Sequence, residues 1–335
     1  MIAPHLQTDK RDDFCKTVTD YCERVMMDIT PTFCSVMCRG NWKSVKADDI
    51  EELRRRYRPI EPRDDGDLVS VVIPICKTDE KYFEKTVESV RKNASGKIEV
   101  VYLFDEKEEG HRVLTNRMVQ KAEGKYVLRL DCHCAMSPGW DLRMKRTCRE
   151  MTLVRPVLDS LDEVKWIGKN KDMGMIVLDP WMKNQFVNPW KPFITRGIEE
   201  DTMSIIGCCY MVRKEDFLAV GGCEERLGKW GGGGPEMALK FWMFGGKCLT
   251  RTDTVCYHLF RKKTPYPVNE QDLENVFKKL YVMFRNGQWK SDRCAQVRQL
   301  SWLLEKFRQH LIVPTSKSHL NRETDHIERP IEAAV

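Results

Sequence analysis

An acid and an imidazole stand two residues apart, Asp131 and His133, in the string RLDCHC at positions 129–134. Just past a buried strand, side chains at that spacing can turn toward one point in a tight bend. Asp131 offers a hard oxygen and His133 a nitrogen, a mixed set suited to Mn2+ or another first-row divalent ion. A cation there could bridge two phosphates of a nucleoside diphosphate and neutralise charge on a departing group. Asp-x-His alone is a weak signal, because an acid capping a turn beside a surface histidine is spelled the same way. A second histidine, His258, lies in YHLFRK (257–262) at the end of another β-like run, and could complete a facial set of three ligands.

The elements that must hold these residues are legible in the hydrophobic pattern. LVSVVIPIC (68–76) is a continuous apolar run rich in β-branched residues, as expected of a strand buried on both faces. Phe83, Val87 and Val90 follow at helical spacing. Then come IEVVYLFD (98–105), a polar helix around 108–122, and YVLRLD (126–131). Strand, helix, strand, helix, strand predicts a parallel α/β half-sheet. Two of its strands end in an acid, Asp105 and Asp131, at the carboxyl ends where open α/β sheets bind ligands. Past residue 150 the regularity weakens. DMGMIVLDP (172–180), TMSIIGCCYMV (202–212) and TDTVCYHLF (252–260) read as strands, and KWGGGGPEMALKFWMFGG (229–246) as a glycine-rich loop running into a helix that Pro235 can start. Residues 269–310 read as helical.

With these blocks in order, the sequence resembles the GT-A-fold glycosyltransferases of the polypeptide N-acetylgalactosaminyltransferase type. The family's Asp-x-His phrase is much like LDCHCAMSPGW (130–140), its tryptophan-glycine loop and helix are similar to 229–246, and its metal-histidine segment is similar to YHLFRKKTPY (257–266). Order and spacing agree over roughly residues 68–268, and the wording is closer to compact phage and bacterial relatives. The resemblance implies a nucleotide-binding mixed, mostly parallel sheet flanked by helices, at 66–268. A helical N-terminal extension and linker (1–65) and a helical C-terminal extension and tail (269–335) flank it. It implies a UDP-sugar donor, a divalent metal, Mn2+ first, and retention at the anomeric carbon. By the same resemblance Asp131, His133 and His258 match metal ligands, and Asp105 falls where uridine or ribose is held. Pro74 and Asn116 line the nucleotide pocket, Arg261 and Tyr266 match a loop over the diphosphate, and Trp230 matches a tryptophan at the sugar and acceptor face. Arginine and aromatic residues suit those roles, through paired bonds to phosphate oxygens and flat packing on a sugar or base. One departure stands out: the family usually carries a glutamate three residues after that tryptophan, and here the position is Gly233. Glu236, one helical turn on, aligns with a second family glutamate. It could face the pocket as a catalytic acid, or it could simply favour the helix dipole.

Composition bounds what is left. The 335 residues carry a formal charge of +6, with 41% hydrophobic and 32% charged residues, as an ordinary globular protein does. No run approaches the roughly 18 apolar residues of a membrane span, and MIAPHLQTDKRDDF lacks a signal peptide's basic start and apolar core. A cytoplasmic protein is therefore expected, its 14 cysteines reduced. Cys15, Cys22, Cys34 and Cys38 could bind zinc, but they lack the C-x2-C knuckle, and cysteine is often just a small buried hydrophobe. Packing is the better reading for Cys132, Cys134, Cys208 and Cys209. Basic clusters at 54–58, 145–149 and 261–263, with no sign of a secretory route, point to DNA as acceptor, at a hydroxymethyl pyrimidine, as in bacteriophage DNA modification. A peptide serine or threonine, or a glycan, is the alternative acceptor. Two rivals come from other classes: a degenerate nucleotide-binding interaction module, and a zinc-centred nucleic-acid-binding protein.

Overall fold

The computed structural model describes residues 66–311, apart from 173–174, 180–181, 188–197, 261–269 and 288. The N-terminal extension with its four cysteines, and the tail beyond 311, lie outside the described residues. The first half follows the expected alternation: β1 (Val69–Ile75), α1 (Phe83–Asn93), β2 (Ile98–Phe104), α2 (His111–Lys121) and β3 (Tyr126–Leu130). β1 pairs in parallel with β2 on one side and with β3 on the other. Its residues alternate between two layers of core. Val71 and Ile73 join Val87, Val90, Trp140 and Met144 on one face, and Val72 joins Leu114, Met118 and Phe241 on the other. Burial on both faces explains why β1 reads as an unbroken apolar run.

The chain continues through β4 (Cys134–Met136), α3 (Trp140–Thr147), β5 (Thr152–Leu161), β6 (Gly168–Asp172), β7 (Met175–Leu178), β8 (Asn184–Val187), β9 (Glu199–Asp201), β10 (Cys209–Arg213), α4 (Lys214–Ala219), α5 (Gly233–Met243), β11 (Lys247–His258), α6 (Glu270–Arg285) and α7 (Leu300–Lys306). The main sheet runs β2-β1-β3-β10-β5-β11-β4, with β6 added to β5 and β9 to β11. β10 is antiparallel to β3, so the direction changes there, and the two longest ladders, β1 with β2 and β5 with β11, are parallel. The sheet is thus mixed and flanked by helices on both faces.

Three differences from the sequence reading have physical causes. Within 172–180, Met175–Leu178 forms the strand β7, which pairs with β8 in a separate two-stranded sheet. β5, near the centre of the sheet, has no simple apolar signature because Arg155, Pro156 and Asp159 interrupt it. Arg155 and Asp159 are nonetheless buried, with Arg155 Nε donating to Thr250 Oγ1 at 2.9 Å. Pro156 pairs with Arg251 just before a shift of register, where a strand tolerates a missing N–H. Beyond 269, the helical stretch is two helices, and Val276, Leu280, Phe284, Leu300 and Leu303 pack into the same core as α2 and α5. No helix among the described residues is long and apolar enough to cross a membrane.

Trp140 closes the LDCHCAMSPGW phrase and anchors it. It is fully buried, and its Nε1 donates to Val90 O at 3.2 Å; Gly139, at φ 67°, supplies the left-handed residue that starts α3. Replacing Trp140 with alanine should cost about 3–5 kcal/mol of folding stability. Urea denaturation checks this, and a loss below about 1 kcal/mol would contradict the anchoring role.

Candidate metal centre

Two strands must end at the same place for the three predicted ligands to meet. β3 stops at Leu130, and Asp131 N donates to Cys208 O at 2.8 Å, so the chain turns beneath the loop that precedes β10. It reverses through Cys132 and His133 into β4, which pairs antiparallel with the end of β11, Cys134 opposite His258. Leu259 N closes the register on His133 O at 3.1 Å. Thr86 of α1 steadies the turn: its hydroxyl donates to Cys132 O at 2.8 Å and accepts from Cys134 N at 3.2 Å.

This arrangement gathers one atom from each candidate ligand. His133 Nε2 and His258 Nε2 lie 3.1 Å apart, and Asp131 Oδ2 is 3.4 Å from the latter and 3.9 Å from the former. Ligands around a divalent ion at bond lengths of about 2.1 Å stand about 3.0 Å apart when octahedral and about 3.4 Å apart when tetrahedral. Two of the three observed edges, 3.1 and 3.4 Å, have that size, and the third, at 3.9 Å, is wider. Among the described residues, Asp131, His133 and His258 are the group of acids, histidines and cysteines whose geometry could hold a metal ion.

Electrostatics prepare these atoms for a cation. Burial works to raise the Asp131 carboxyl, but the Arg129 guanidinium, 2.5 Å away, and the two histidines outweigh it and hold it well below the usual carboxylate range. Burial pushes the His133 imidazole down to about 4 against the pull of Asp131, so its ring is neutral and has a lone pair to give. Burial also opposes the charged form of His258, yet the neighbouring Cys208 and Asp131 carry it upward overall. The Nδ1 atoms of both histidines are buried without an aligned hydrogen-bond partner, as expected of rings placed for their Nε2 atoms. Arg129 is buried beside Asp131 and also donates to Gly207 O, which ties the metal turn to the loop before β10.

The other predicted residues divide. Asp105 is buried past the end of β2, and its two oxygens accept from Glu109 N (2.7 Å) and Gly110 N (2.9 Å), shaping the loop ahead of α2. Pro74 lies on β1 beyond Val72, the last residue paired with β3. Trp230 is half-buried in the glycine loop. Arg261 and Tyr266 lie outside the described residues. Asn116, expected near the nucleotide pocket, makes hydrogen bonds within the protein. Its amide accepts from Cys223 N and donates to Cys223 O and Glu225 Oε1, fastening α2 to the loop before the glycines. Glu236 is fully buried. Arg112 Nε meets it at 2.8 Å, Lys240 Nζ at 3.1 Å and Glu224 N at 2.5 Å. This ion-pair network needed a long-range partner to be seen.

Sequence reasoning did not single out His111. Its ring lies against the glycine loop, where a methyl group added at Gly233 would come within 2.8 Å of His111 Cε1. Burial first, and then Arg112 and Arg129, push this imidazole well below its ordinary value, while Asp131 pulls the other way. Gly233 therefore has a local reason: the histidine takes the room beside it. Gly234 is constrained more tightly, since a methyl there would lie 2.1 Å from Ile205 O. No periodicity in EEGHRV marks His111, because its neighbour at 233 is remote in sequence. Glu236→Gln should leave Arg112 and Lys240 buried without their counter-charge and cost about 3–5 kcal/mol in urea denaturation. An unchanged stability would remove Glu236 from the structural network.

No family model matches the chain. Among curated proteins it is similar to polypeptide N-acetylgalactosaminyltransferase 13 of Homo sapiens, 26% identical over 212 residues, covering 59% of this chain and 37% of the relative. It is also similar to polypeptide N-acetylgalactosaminyltransferase 12 of Homo sapiens, 25% identical over 277 residues, covering 76% of this chain and 46% of the relative. The chain thus spans less than half the length of these relatives. Among solved structures, GalNAc-T7 with UDP, GalNAc and Mn2+ superposes with a TM-score of 0.54 at 18% identity, covering 65% of this chain and 49% of that one. The chain has the GT-A glycosyltransferase fold, and its sequence is similar to the polypeptide N-acetylgalactosaminyltransferases.

Proposed function

We propose that this protein is a metal-dependent glycosyltransferase that moves a sugar from a UDP-sugar to an acceptor hydroxyl. The observation that carries the proposal is the convergence of Asp131, His133 and His258 at the carboxyl end of the parallel half-sheet. A divalent cation held there, Mn2+ first, would supply positive charge against the diphosphate of the departing UDP. Arg129 keeps Asp131 ionised, and burial keeps His133 neutral, so both are ready to ligate. Asp105 and Pro74, at the ends of β2 and β1, are proposed to line the nucleotide side. Trp230 is proposed to face sugar and acceptor, and Arg261 and Tyr266 to cover the diphosphate. The names of the relatives support the donor class, since N-acetylgalactosaminyltransferases act with such sugars.

The acceptor reading shifts. The expectation of DNA rested on three basic clusters, and of these only 145–149 lies among the described residues. There Lys145 is buried with its Nζ on Asp67 O at 3.0 Å, and Arg149 pairs with Glu199 at 2.9 Å, so two of its three cations serve the fold. The relatives are named for polypeptides, and a polypeptide hydroxyl is the acceptor we propose. A screen of UDP-sugars with Mn2+ tests this, against serine- and threonine-bearing peptides, unmodified DNA and hydroxymethylated DNA, read by mass spectrometry. Transfer to peptides is the expected result. Transfer to hydroxymethylated DNA alone, with acceptor affinity falling steeply as salt rises, would restore the nucleic-acid reading. Binding of UDP-sugar without transfer or hydrolysis would leave a nucleotide-binding module in place of an enzyme.

Two further outcomes follow from the ligand set. Alanine at Asp131, His133 or His258 should abolish Mn2+-dependent UDP binding while leaving the circular dichroism spectrum unchanged. Normal binding by His258→Ala would sink the assignment. His258 titrates above the ordinary imidazole value, so protons compete with the cation first at this ligand. Mn2+ affinity should therefore be full on the alkaline side and fall as the pH drops toward the ordinary imidazole range, beginning above it. Calorimetric titration across that range checks the sign.

A further inference from the structure

His133 has two ring nitrogens, and only one faces the other ligands. Its Nε2 looks toward His258 Nε2 and Asp131 Oδ2. For Nε2 to give its lone pair to a cation, the ring proton must sit on Nδ1. That atom is buried with no aligned hydrogen-bond partner, and the carboxylate oxygen beside it is Asp79 Oδ2, at 3.3 Å. Asp79 is itself buried, in the turn between β1 and α1, and nothing in its sequence context, CKTDEKY, marks it as part of a site.

Resting on the metal centre proposed above, we propose that Asp79 is a positioning residue: it accepts the Nδ1–H of His133, selects the tautomer that ligates through Nε2, and aims the ring. Several bonds fix Asp79 in place for this role. Its N–H donates to Cys76 O at 2.9 Å, and its carbonyl accepts from Tyr82 N at 2.9 Å. Its Oδ2 also accepts from the Cys76 thiol at 2.9 Å. The same carbonyl accepts from the thiol of Cys132 at 3.2 Å, and Cys132 lies between the two ligands of the turn. Carboxylate and metal turn are therefore sutured to one another, with His133 Nδ1 within 3.3 Å of its proposed acceptor. A carboxylate behind a ligating histidine raises the basicity of the ring and holds it in register, and removal of such a partner weakens metal binding by about 10–100-fold.

The test is Mn2+ affinity by calorimetry on the full chain, for wild type, Asp79→Ala, Asp79→Asn and His258→Ala. Asp79→Ala should bind Mn2+ about 10–100-fold more weakly than wild type. Asp79→Asn, whose amide oxygen can still accept from Nδ1–H, should recover part of that loss. A role confined to the turn would lower the melting temperature and leave Mn2+ affinity of the folded protein alone. Should Asp79→Ala fail to fold, Asp79→Asn carries the test, with weakening of more than about threefold expected and less than twofold overturning the proposal. Binding lost in His258→Ala but within twofold of wild type in both Asp79 variants would overturn the role of Asp79 alone. No Mn2+ binding by wild type, or binding untouched in His258→Ala, would bring down the metal centre and this role with it.

Discussion

Everything at the site depends on one short antiparallel pairing, β4 against the end of β11. Asp131 and His133 are neighbours along the chain, but His258 is 125 residues from His133. Three residues, Cys134–Met136, reverse the chain after the metal turn and lock to Cys256–His258, which brings the two imidazoles together, tilted 45° to one another and with their Nε2 atoms 3.1 Å apart. β11 is in turn fixed by its long parallel ladder with β5. The position of a ligand is thus decided by sheet order, and the buried side chains of β4, Cys134 and Met136 among them, secure that order through packing.

Buried charge is the second constraint. Arg129, Arg112, Glu236 and Lys240 are almost wholly withdrawn from water, which is tolerable only where each is paired and hydrogen-bonded. Arg129 is used twice, on Asp131 and on the backbone of Gly207, so the electrostatics of the metal ligand and the placement of the loop before β10 are one arrangement. Arg112 likewise joins the carbonyls of Gly228 and Gly231 to the carboxylate of Glu236. The glycine loop is therefore held by Arg112 of α2, and His111 of the same helix lies beside Gly233.

Much of the scaffold was legible from residues 68–131 alone. β-branched runs placed β1, β2 and β3 within a residue, and the two helices between them were expected where α1 and α2 lie, because local burial on two faces leaves a local pattern. β5 was not legible, since Arg155, Pro156 and Asp159 satisfy their needs through partners on other strands and through a register shift. The role of Glu236 was invisible for the same reason: its partner Arg112 is 124 residues away. Asn116 shows the converse, a polar residue on a predicted helix whose amide is consumed by the backbone of a distant loop.

The sequence by itself determined the chemistry on offer: an acid and two imidazoles, each at the end of a β-like run, and a glycine loop opening a helix. Covalent neighbourhood is enough for that, because residue type and strand ends are local properties. Tertiary structure alone decided which of those groups share a space. It brought His258 to Asp131 and His133, set Asp79 behind His133, put His111 against Gly233, and withdrew Glu236 into an ion-pair network. These juxtapositions follow from strand order and from the need to pair every buried charge, and both are properties of the whole packed sheet that no window of sequence contains.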